Sequence, residues 1–97
     1  GPLATIAIVD EHPEQQYLYP EFLLFTHLFQ RHGLRAVIAG PGDFEWREGR
    51  LWHGEHAIDL IYNRLADFYL EQPASALVRE AWLQQAVVLT PDWSRRT

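Results

Sequence analysis

The stretch Thr5-Ile-Ala-Ile-Val-Asp10 is apolar and largely β-branched without a break, and it ends on an acid. A strand that faces core on one side alternates apolar with polar residues, so a continuous run fits a central parallel strand covered on both faces. Working outward, Asp10-Glu11-His12-Pro13 reads as a polar loop at the end of that strand. Pro20 is placed as a first-turn helical proline, and Phe22, Leu24, Phe25, Leu28 and Phe29 recur at helical spacing until Gly33 stops the helix. Arg35 to Ala39 is a second strand, which completes a strand, helix, strand unit whose crossover is expected to be right-handed.

Beyond it, Gly40-Pro41-Gly42 reads as a turn and not a dinucleotide fingerprint, because it follows the second strand, lacks a third glycine and opens no helix. Phe44 to Arg47 and Arg50 to His53 flank Glu48-Gly49, which predicts a small hairpin with Trp46 and Leu51 on one face. Ile58 to Tyr62 is the third long strand. Pro73 to Gln85 is a helix with Leu77, Val78, Ala81 and Trp82 on one stripe, and Ala86 to Thr90 is the fourth strand. The expected fold class is α/β, an open and mainly parallel Rossmann-like sheet with an inserted β-hairpin. Residues 1–4 read as a tag remnant or disordered start, and residues 5–97 as a single α/β domain from a longer protein. Two long helices are few for a parallel sheet, so apolar surface is expected to remain for a partner.

Composition narrows the function classes. The 97 residues include eight arginines, no lysine and no cysteine, with a net charge of −5. No Schiff-base lysine, lysine phosphate clamp, thiolate nucleophile, disulfide scaffold or cysteine-ligated zinc is possible, and a nucleic-acid groove is not expected. No apolar run approaches the roughly 18 residues of a membrane span, and no secretory pattern opens the chain, so the expected setting is cytoplasmic. His53-Gly-Glu-His56 fits no established zinc spacing, and no metal site is expected.

Ligands in open parallel sheets gather at the carboxyl ends of strands. Asp10, Asn63, Arg64 and Asp67 fall there and are the candidate substrate-binding residues, with no catalytic residue among them. A structural reading stands beside this one: Arg64 pairing with Asp10 or Asp67, and Asn63 satisfying a turn. Trp46, Trp52 and Trp93 are candidate interface residues, since aromatic side chains are costly to expose, and a homodimer is expected on that ground.

Two family resemblances follow from these motifs. IAIVDEHP, DLIYNR and VVLTPD resemble the strand ends of phosphorylation receiver domains, but the phosphoacceptor position falls on Arg64 and the family's lysine has no counterpart. That resemblance implies a degenerate receiver used for protein interaction or dimerisation. Over roughly Thr5 to Pro91, YPEFLLFTHLFQRHGLRAVIAGP followed by FEWREGRLWHGEHAIDLIYNRL resembles more closely the pre-ATP-grasp domain of circularly permuted ATP-grasp and glutathionylspermidine-synthase-like ligases. It implies a non-catalytic N-terminal module that helps frame the substrate site and packs on a downstream ATP-grasp module. ATP and magnesium would belong to that module, since this chain carries no phosphate loop.

Overall fold

The computed structural model describes residues 4–16, 20–67 and 69–90. In chain order the elements are β1 (Ala4–Val9), α1 (Pro13–Gln16), α2 (Pro20–Arg31), β2 (Leu34–Ala39), β3 (Glu45–Arg47), β4 (Arg50–His53), β5 (His56–Ala57), β6 (Leu60–Asn63), a 3-10 turn (Pro73–Ser75), α3 (Ala76–Leu83) and β7 (Val88–Thr90). The long strands form one sheet in the order β2-β1-β6-β7, and every ladder in it is parallel. The chain is therefore α/β with an open parallel sheet, as its apolar runs predict. The inserted hairpin is larger than predicted: β5 adds to β3 and β4, giving a separate three-stranded antiparallel sheet.

β1 is buried because its neighbours cover both faces. Ala7 and Val9 join Ala39, Ile61 and Leu89 in the main core, capped by Leu51 and Ile58 from the inserted sheet region and by Val78 and Ala81 of α3. On the opposite face Ile8 and Ile38 meet Phe22 and Phe29 of α2 in a much smaller cluster. Register places Leu60, Tyr62 and Val88 on that second face with Ile6 and Ile8. One helix cannot cover it: Tyr62 is 41% and Val88 61% exposed, while Leu24, Phe25 and Leu28 of α2 are exposed as well.

Local chemistry sets the punctuation. Trp46 pairs directly with Leu51, so the two share a face as expected, and the turn between their strands puts Glu48 and Gly49 at φ 53° and 74°. Positive φ at both central residues is the twist a two-residue hairpin needs. Gly33, at φ 76°, ends α2. α3 stops two residues before the predicted Gln85, which instead takes a left-handed φ of 61°. There the Gln85 N–H donates to Trp82 O and the Ala86 N–H to Ala81 O, the paired bonds of a Schellman stop.

Candidate functional site at the strand ends

β1 lies between β2 and β6, so the chain's connections diverge at the carboxyl ends of β1 and β6. Loops splay apart at such a point and leave room for a ligand. Asp10 follows β1 directly: its N–H donates to Ala39 O, and its Oδ1 accepts the His12 N–H at 3.0 Å. Arg64 follows β6, its N–H donating to Val9 O. The Arg64 Nε stands 3.7 Å from Asp10 Oδ2, with 43% of the arginine side chain exposed. This is a loose ion pair, and it leaves the outer guanidinium N–H groups without a hydrogen bond to any described residue. Ile8, Phe25, Phe29 and Tyr62 line a narrow cleft together with Arg64, so its aliphatic stem lies along an apolar wall and its charge reaches the sheet edge.

Asn63 answers differently. Only 7% exposed, it accepts the Leu65 N–H on Oδ1 at 2.9 Å and donates from Nδ2 to Asp67 O at 3.4 Å. Its amide holds the chain in the turn that takes it away from the sheet. Asp67 fixes the next loop: its two carboxylate oxygens accept the Glu71 and Gln72 N–H groups at 2.8 and 2.9 Å. Those bonds, with burial of the Leu70 side chain, keep Leu70 at φ 58°, a conformation rare for a bulky residue.

The four candidates thus share one edge without sharing one pocket. Asp67, Glu11 and Glu71 line a cleft of about 620 Å³ bordered by Pro41, Leu65 and Tyr69. Among the described residues no arginine lines it, so its sign suits an ammonium group and opposes a carboxylate or phosphate. Arg64 and Asp10 are outside that lining, with Asn63 buried at the end of β6.

The interface candidates also separate. Trp46 is half-buried against the main core, and Trp52 is half-buried under the Arg47 guanidinium, whose Cζ lies 4.6 Å from the ring centroid. Trp93 lies outside the described residues. The apolar surface expected to remain for a partner is on α2, Tyr62 and Val88, not on Trp46 or Trp52. Its signal was present in Phe22-Leu-Leu-Phe25, too many apolar residues for one buried stripe.

At the inserted sheet, His53 packs edge-on to Phe44 and His56 bonds to Arg35. Among the described residues no group of three or more histidine, aspartate or glutamate side chains is arranged to hold a metal ion. Among them also, no helix is long and apolar enough to cross a membrane. No protein-family model, curated protein or solved structure matches the chain.

Proposed function

We propose that the chain is a non-catalytic, Rossmann-like module of the kind that precedes an ATP-grasp domain, framing a substrate at its strand ends and packing on a neighbouring catalytic module. The carrying observation is Arg64, an exposed guanidinium at the β1/β6 edge whose carboxylate partner stands no closer than 3.7 Å. A planar fork of donors in that setting suits a carboxylate or phosphate group. The acidic cleft on the same edge offers the opposite sign, which is the pairing that a carboxylate and an amine substrate would need. The open sheet face supports the packing half of the reading, since Tyr62 and Val88 are the residues a neighbouring module would cover. ATP and magnesium belong to that neighbour and not to this chain. The alternative, a degenerate receiver-like dimerisation module, draws on the same open face but gives Arg64 no ligand.

Calorimetric titration of the chain with succinate tests the first reading. The expected result is weak saturable binding that Arg64→Ala weakens about tenfold, equivalent to about 1.4 kcal/mol. Arg64→Ala is also expected to leave the melting temperature nearly unchanged, as surface substitutions usually do. Equal binding by both proteins would remove Arg64 from the reading.

A further inference from the structure

At the opposite edge of the sheet, by the amino ends of β1 and β2, Thr5, Arg35, Arg50, Trp52, His56 and Asp59 line a cavity of about 410 Å³. Its charges are not equally matched. Asp59 is committed twice, with Oδ1 2.8 Å from Arg50 Nη2 and Oδ2 accepting the Thr5 N–H at 2.8 Å. Arg35 has a neutral partner instead: its Nη1 lies 2.6 Å from His56 Nδ1. A guanidinium has no acceptor, so Nδ1 holds the lone pair and the imidazole carries its proton on Nε2. Among the described residues no carboxylate pairs with Arg35.

A strut between β2 and β5 requires a single N–H, yet Arg35 makes no other side-chain hydrogen bond among the described residues. Half-burial makes a charge costly when only a neutral group meets it, and the cavity beside Arg35 has room for a small anion. We infer that this cavity binds a small oxyanion, a phosphate or carboxylate group, on the Arg35 N–H groups that His56 does not take, with Arg50 lining the same space. Glu55, exposed and also lining the cavity, tempers the affinity by repulsion. The site is independent of Arg64, which stands at the carboxyl ends of the strands.

The Trp52 indole N–H donates to Arg47 O at 3.1 Å and gives a local reporter for NMR, assigned with Trp52→Phe. Inorganic phosphate and, separately, acetate are titrated at constant ionic strength. A saturable shift of the Trp52 signal is expected, the stronger ion naming the ligand class. Arg35→Gln is expected to weaken it about tenfold or more, because charge-assisted hydrogen bonds are lost. Glu55→Gln is expected to tighten it, and Arg64→Ala to leave it unchanged. Absence of a saturable shift with both ions overturns the proposal, as does equal affinity in a folded Arg35→Gln protein. If Arg35→Gln does not fold, unchanged affinity in Glu55→Gln overturns it instead.

Discussion

Arg50 and Asp59 meet at 2.8 Å across the junction between the inserted sheet and the parallel sheet, although each side chain is more than 40% exposed. The pair itself contributes little, since exposed ion pairs are typically worth about 0–1 kcal/mol. Asp59 matters more through its second oxygen, which accepts the N–H of Thr5, a residue only 3% exposed.

That asymmetry predicts unequal single mutants. Asp59→Ala is expected to destabilise by about 1–3 kcal/mol, since it leaves a buried donor without a partner. Arg50→Ala is expected to cost less, with its effect shrinking further in high salt. Urea unfolding of both proteins checks the order, and equal losses would show that the ion pair, not the Thr5 bond, carries the contact.

Asn63 is expected to behave as a structural residue. Asn63→Ala removes the acceptor of the buried Leu65 N–H and is expected to cost about 1–3 kcal/mol. Succinate affinity per folded molecule is expected to stay unchanged. Thermal melting beside calorimetry checks this, and reduced affinity at unchanged stability would return Asn63 to the ligand.

Gln85 occupies the left-handed position of a Schellman stop, where glycine carries no steric penalty. Gln85→Gly is expected to stabilise the chain by about 0.5–1 kcal/mol, because relief of the left-handed strain exceeds the added entropy of the unfolded state. A lower denaturation midpoint in the variant would show that the glutamine side chain has a compensating role.

The open face predicts self-association of the isolated chain. Val88 and Tyr62 are exposed apolar residues on the sheet face that α2 leaves partly bare, and Leu28 of α2 is exposed as well. A dimer at micromolar concentration is expected, with Val88→Asp shifting it to monomer in sedimentation velocity. A wild-type chain that stays monomeric at high concentration would remove the homodimer.

The sequence by itself determined the parallel sheet. Ile6 to Val9 is apolar throughout and ends on Asp10, Ile58 to Tyr62 is apolar but for Asp59 and ends on Asn63, and burial requires such runs to become inner strands. It also determined the hairpin turn and the end of α2, because Gly49 and Gly33 supply backbone conformations that other residues resist. β5 was not legible: two residues have no periodicity, and His56 and Ala57 become a strand only because β4 offers them a ladder.

Tertiary structure alone decided how the strand-end residues divide. Asp10, Asn63, Arg64 and Asp67 look alike in sequence as polar residues at strand ends, but side-chain direction reverses at each step along a strand. Folding buries Asn63 in its turn, brings Arg64 beside Asp10 and sets Asp67 in the acidic cleft. Arg35 and His56, 21 positions apart, meet only because the inserted sheet folds back beside β2. No spacing rule in a linear chain encodes that contact, since it depends on the relative placement of two sheets.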